Sequence, residues 1–349
     1  SLGNPYQLKF NEDKSFQGSI VLGKGFVLDS NEALSIIEED NKYREVLFPY
    51  LNGNDLNNNL NQAPSRWVIN FFDWNESKAK SYQKCYSIIE DHVKPERTRY
   101  KKDKNGNDIE GVYALRKPLP QKWWVYADKR PKLYSVLSKL DKTLVVNRHS
   151  KIFIVAKLDC DMVFSEATVL ITLDDENSHA IMSSDIYSHW AWKNSSTIRD
   201  AGIRFSPSEA FETFPFPIDY KHLDSLKSIG AKFHNYRDEI LDNLQLGLTP
   251  LYIQFHNKLE EKIEFKDKHE FLKKYSKKTW ALYNHLENQK FGKIAYDKVV
   301  SKIFKLRELQ KEMDEAVIAA YGWKDIQLRH DFYEVSYLPE NDRVRYTIH

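Results

Sequence analysis

Two prolines close together, in Phe214-Pro215-Phe216-Pro217, set the firmest limit on how this chain can fold. Each lacks an amide donor and has its φ angle fixed, so neither a helix nor a central strand can run through them. Before this point short apolar runs alternate with polar turns, and after it nearly all of the text has helical spacing. The expected fold is therefore α+β: a mixed, β-rich domain with short helices over residues 1–218, followed by a mainly helical domain over 219–349. A chain of 349 residues is long enough for two domains, each burying its own core.

In the first part, residues 16–29 read as two short strands joined at the turn residues Gly23-Lys24-Gly25, followed by a short helix capped by Ser30 or Asn31. The run Pro49-Tyr50-Leu51-Asn52-Gly53-Asn54-Asp55-Leu56 reads as a structured turn, because Asn, Asp and Gly tolerate left-handed backbone and bond to their own chain. Near-continuous apolar character over 66–73 predicts a buried strand, and Ala79, Tyr82, Tyr86 and Ile89 lie on one stripe of a helix over 77–92. Arg130-Pro131 opens a further helix. Strands are expected at 122–126, 143–147, 151–157 and within 162–173, and a helix at 182–192, with His189 a structural residue on it. In the second part helices are expected at 223–246, 250–257, 269–288 and, most clearly, 294–321. There Val299, Ile303, Leu306, Met313, Val317 and Ala320 recur at three- and four-residue steps, and Gly322 provides the stop. The chain starts at Ser1 rather than at methionine and ends without an evident cap, so it is expected to be part of a longer polypeptide.

A formal net charge of +2 hides an asymmetry. Residues 1–93 carry 9 Lys/Arg against 13 Asp/Glu, and residues 94–157 carry 17 against 6, a local net of +11. Residues 158–218 return to 3 against 10. A basic block between acidic neighbours suits a cationic groove on an otherwise balanced protein, or a lysine-rich solvated face. Its cations sit at turns and strand ends among aromatics, where phosphates can be met. Two cysteines argue against a disulfide framework and fit a reducing cytosol. No apolar run approaches the roughly 18 residues that would span a bilayer.

The residue patterns of catalysis are missing. Gly23-Lys24-Gly25 lacks the third glycine and the distant acidic residue of a dinucleotide loop. Glu264-Phe265-Lys266 has the spacing of a metal-dependent nuclease motif, but helical text surrounds it and no aspartate precedes it at a strand end. His256-Asn257 is too little for a nuclease motif, and Cys85 and Cys160 stand alone. Asn4-Pro5-Tyr6 lacks the second proline of the amino-methyltransferase signature, and no cofactor-binding unit precedes it.

Several segments in order nevertheless resemble one family. They are Ser15-Phe16-Gln17-Gly18 with Gly23-Lys24-Gly25-Phe26, the turn at 49–56, Arg66-Trp67-Val68-Ile69-Asn70, Val93-Lys94-Pro95-Glu96-Arg97, Trp123-Trp124, Ser188-His189-Trp190, Arg204-Phe205-Ser206-Pro207 and the closure at 211–217. In the helical part, Leu306-Arg307-Glu308-Leu309 and the run at 313–323 continue the likeness. Together they resemble the target-recognition region and following helical segment of MmeI-like, type IIG restriction–modification enzymes and related adenine-specific DNA methyltransferases. The likeness covers essentially the whole chain.

That resemblance implies a module that reads double-stranded DNA and presents a flipped adenine to a methyltransferase domain lying upstream in the same polypeptide. S-adenosylmethionine is then expected in that domain, with no cofactor or metal in this chain. A cytoplasmic location on bacterial nucleoid DNA follows. In related enzymes the specificity-setting residues lie just before the Phe-Pro closure. Arg199, Asp200 and Arg204, with Lys193 and Asn194, are accordingly the expected base readers, since Arg suits guanine, Asn adenine and Asp cytosine. Arg97, Arg99, Lys101, Lys102, Arg148, Ser150 and Lys151 are the expected contacts to the DNA backbone. A protein-interaction module with a basic surface is the competing expectation.

Overall fold

The computed structural model describes residues 3, 5–198, 202–289 and 292–349. It is an α+β fold built around two apolar cores. One core centres on an antiparallel sheet in the order Ser15–Gln17, Thr168–Ile171, Lys142–Asn147, Val155–Asp159. Its central strands are buried on both faces, which is why Leu144, Val145, Val146, Val169, Leu170 and Ile171 form unbroken apolar runs. The second core centres on the sheet Val163–Phe164, Leu47–Leu51, Arg66–Ile69, Val27–Asp29, in which only the first pairing is parallel.

The helices meet the first core. Val299, Val300, Ile303, Leu306, Met313 and Val317 of the Tyr296–Ala320 helix are buried, and it lies along the Asp224–Leu244 helix. Gly322 follows at φ +72, the left-handed stop its position predicts. Residues from Leu51 to Leu338 share this core, so the buried apolar side chains do not part at residue 218. The Phe-Pro closure lies inside it as a junction. Phe214 meets Tyr187 edge-on at 4.7 Å, Asn11 Nδ2 donates to the Phe214 carbonyl at 2.7 Å, and Tyr321 Oη donates to the Pro215 carbonyl at 2.7 Å.

Several elements differ from expectation, each for a local reason. The two strands within 16–29 pair with Thr168–Ile171 and Arg66–Ile69 rather than with each other. Asp29, accepting from the Glu32 amide at 2.8 Å, caps the Ser30–Glu39 helix in place of Ser30 or Asn31. The turn at 49–56 is the end of a strand and a short helix, Gly53–Asn58, folded over the buried Asp55 carboxylate. That carboxylate accepts from Asn52, Asn59 and Ser65. The helix expected at 182–192 is two, Glu176–Ser183 and Asp185–Lys193. Between them Ser184 takes extended backbone, donates to the Ile181 carbonyl and caps the Tyr187 amide. Ser276 divides the helix expected at 269–288 in the same way. The strand expected at 122–126 is a buried turn instead: Trp123 to Tyr126 are all in the core. Residues after 324 form an antiparallel hairpin, His330–Glu334 with Val344–Ile348.

Candidate nucleic-acid interface

Two parts of the basic block come to the surface in different ways. The first is an antiparallel ribbon, Tyr100–Lys102 with Asp108–Tyr113, every residue of which is exposed. Its tip is ordered by Asp103, whose Oδ1 accepts from the amides of Asn105 and Asn107 at 2.8 and 2.9 Å. Those bonds hold the Asp103 carboxyl below its usual range. Tyr100 and Tyr113 stack across the ribbon at 5.6 Å, leaving their faces and the Arg99, Lys101, Lys102 and Arg116 side chains around an open recess. A two-stranded ribbon of this width is one of the few elements that fits a DNA groove.

Arg97, expected among the backbone contacts, is not part of that surface. It is 1% exposed, and its guanidinium donates to the carbonyls of Val21, Leu22, Trp123 and Val125. Burial lowers its pKa to about 10. The residue fixes the Lys94–Thr98 helix, and hence the root of the ribbon, to the second core. The same bonds consume carbonyls that a strand at 122–126 would have given to a ladder.

The second part is a small sheet in the order Ser196–Ile198, Gly202–Arg204, His149–Ser150. It brings the expected base-reading loop onto the expected phosphate-binding turn: Arg204 pairs with His149 and Ile203 with Ser150. Gly202 permits this contact. Its φ is +93, and a Cβ there would lie 2.1 Å from the Ser150 carbonyl oxygen.

The sheet gathers guanidiniums. Burial lowers the pKa of the half-buried Arg148, and the charges of Arg204 and then Arg130 lower it further, against the opposing pull of Glu166. Arg130 reaches the cluster from the start of the Pro131–Leu137 helix, tethered to Asp128 at 3.0 Å and to Gln17 Oε1 at 3.3 Å. His149 is exposed at the same edge. Partial burial, then Arg148 and Arg204, press its pKa down. Neither Arg148 nor Arg204 has an ion-pair partner among the described residues. Like charges crowded this closely favour an incoming anion.

The remaining expected residues divide. Lys151 is exposed beside the sheet. Ser150 is buried, and its hydroxyl donates to the Ile152 carbonyl at 2.6 Å, so the turn itself has taken up the donor expected for a phosphate. Lys193 is exposed and Asn194 half-buried, with Asn194 Nδ2 donating to the Trp190 carbonyl at 2.9 Å. Both line a surface recess with Gln7, Ser196 and Glu209. Arg199 and Asp200 lie outside the described residues. The residues that sequence reasoning passed over are Arg130, Tyr100 and Tyr113, because only pairing across the chain brings them to these surfaces.

Among the decoys, Cys85 is buried with its thiol pushed up to about 12, again by burial. Glu264 and Lys266 are exposed in irregular backbone that joins two helices. No helix among the described residues is long and apolar enough to cross a membrane.

No protein-family model matches the chain, and no curated protein sequence does. A structural match exists. The fold resembles part of the type IIL restriction–modification enzyme MmeI, whose structure was determined in complex with DNA. The TM-score is 0.53 at 14% sequence identity, over 94% of this chain and 35% of that one. The chain thus shares its fold with a region of a restriction–modification enzyme, and spans about a third of that enzyme's length.

Proposed function

We propose that this chain is the DNA-reading part of a site-specific restriction–modification methyltransferase. The observation that carries the reading is the cluster that Arg148 and Arg204 of the three-stranded sheet's edge form with Arg130, set in a fold shared with a DNA-bound restriction–modification enzyme. In this reading Arg204 and the loop before it, with Lys193, Asn194, Arg199 and Asp200, address base edges. Arg148 and Lys151 hold phosphates beside them, and Arg99, Lys101 and Lys102 on the ribbon grip the backbone at a second place. Residues 1–218 supply the reader and 219–349 the helical brace that shares its core.

The finer identity rests on the motifs quoted from the sequence. We place the parent among type IIG enzymes that methylate adenine at N6, with the catalytic domain upstream in the same polypeptide. S-adenosylmethionine would be bound there, and the protein would act on DNA in the cytoplasm. The chain's own contribution is binding and positioning: it would hold the duplex in register while the target base is turned out.

Fluorescence anisotropy with a labelled duplex tests the reading. Log affinity should fall linearly with log salt concentration, and Arg148→Ala should reduce the slope by about one while weakening all sequences alike. Absence of binding to any duplex at low salt would overturn it.

A further inference from the structure

Away from the basic surface, two groups of ionisable side chains are buried where the helices meet the small sheets. In one, Glu176 lies beside His179 and His234, whose imidazoles stack in parallel at 3.3 Å. An ion bound in the plane of one ring would lie out of the plane of the other, and Lys157, 2.6 Å from Glu176, already neutralises that carboxylate.

The other group joins three separate elements: Asp185 at the start of the Asp185–Lys193 helix, Asp314 in the Tyr296–Ala320 helix and His330 in the carboxy-terminal hairpin. One donor atom from each falls within 4.8 Å of the others. The Asp314 side chain is 0% exposed and that of His330 1%, and His330 Nε2 lies 2.8 Å from Asp314 Oδ2. That contact is a hydrogen bond in the metal-free chain, and the same spacing suits an ion that takes the proton's place, since two neighbouring ligands of a divalent ion with bonds of about 2.1 Å stand about 3 Å apart. Asp185 Oδ2 is buried without any hydrogen-bond partner. A buried carboxylate oxygen left unpaired is costly unless something positive completes it.

The surroundings favour a cation. Among the described residues Asp185 has no ion pair and Asp314 has only His330, while Glu308 and Glu315 against Lys311 add to the negative potential at His330. A cavity of about 50 Å³, lined by Asp185, Gln310 and Thr347 and bordered by Lys151, adjoins Asp185 and has room for ligating water. Arg345 on its wall is held by Asp342 at 3.0 Å.

We propose that Asp185, Asp314 and His330 bind one divalent ion of the manganese, iron or zinc class and so clip the carboxy-terminal hairpin to the core. Two carboxylates and an imidazole are a mixed oxygen and nitrogen donor set that suits these metals better than calcium. The site is structural, and the proposal does not depend on DNA binding.

The test uses the full chain, stripped with a chelator and titrated with Mn²⁺ and Zn²⁺ by calorimetry and elemental analysis. One ion per chain should bind and raise the melting temperature by roughly 5 °C at saturating metal. Asp314→Asn and His330→Gln should each weaken binding by more than about tenfold. Asp314→Asn removes a crowded carboxylate, so its metal-free fold should survive, which separates lost binding from unfolding. X-ray absorption of the zinc-loaded protein should show a single imidazole among oxygen ligands. No stoichiometric ion, binding untouched by both variants, or two imidazoles around the metal would each overturn the proposal.

Discussion

At the scale of single residues, a guanidinium is useful to DNA only where its donors are free. Arg97 and Arg148 belong to the same basic stretch, yet four backbone carbonyls hold the first while the second lies among other cations. Arg97→Ala should therefore destabilise the fold by ~3 kcal/mol or more, read as a lower denaturant midpoint, because it leaves buried acceptors unpaired. Arg97→Lys should recover little, since an ammonium has three donors against the five of a planar fork. Arg204→Ala should leave the unfolding free energy within about 0.5 kcal/mol of the parent and reduce discrimination between duplex sequences instead. Nothing near Arg97 in the sequence separates it from Arg99, because its acceptors come from residues 21–22 and 123–125, far along the chain. The basic block was legible; which of its cations face solvent was not.

At the scale of elements, the long amphipathic helices were readable because burial on one stripe is a local pattern, as in Val299, Ile303 and Leu306. Two kinds of element were not. Breaks at Ser184 and Ser276 depend on one serine hydroxyl capping the next helix, and a serine inside an apolar stripe has no other mark. The buried turn at 123–126 is as apolar as a strand, and only the loss of its carbonyls to Arg97 distinguishes it. The three-stranded sheet rests on Gly202, whose backbone touches Ser150. Gly202→Ala should push the Gly202–Arg204 strand away from His149–Ser150 and weaken sequence-specific binding more than random-duplex binding. The ribbon makes the opposite prediction. Replacing Lys101, Lys102 and Lys104 with glutamine should weaken all duplexes by tenfold or so at low salt with little change in the melting temperature, since these residues are exposed.

At the scale of the whole molecule, the helices and the small sheet carrying Ile203 share one apolar core that continues past the Phe-Pro closure. The sequence shows a change of text at that closure, but a change of text is not a break in packing, and Tyr321 bonded to Pro215 ties the two sides together. The carboxy-terminal hairpin depends on Asp342, which takes Lys278 at 2.9 Å and Arg345 at 3.0 Å. Burial works against this carboxylate, but hydrogen bonds and charge from Arg345 and Lys278 outweigh it and bring its pKa to about 2. A carboxyl depressed on folding stabilises above its unfolded pKa and loses that contribution as pH falls through the folded one. The melting temperature should therefore drop as pH falls from about 4 to about 2, and Asp342→Asn should remove that part of the drop.

The central claim, that this fold reads DNA sequence through the sheet carrying Arg148 and Arg204, is most directly tested by selection from a pool of randomised duplexes followed by sequencing. The account predicts enrichment of one short motif by the parent chain, with Arg204→Ala retaining DNA but losing preference at a position within that motif. Retention of no DNA at low salt, or retention with no enriched motif, would contradict it.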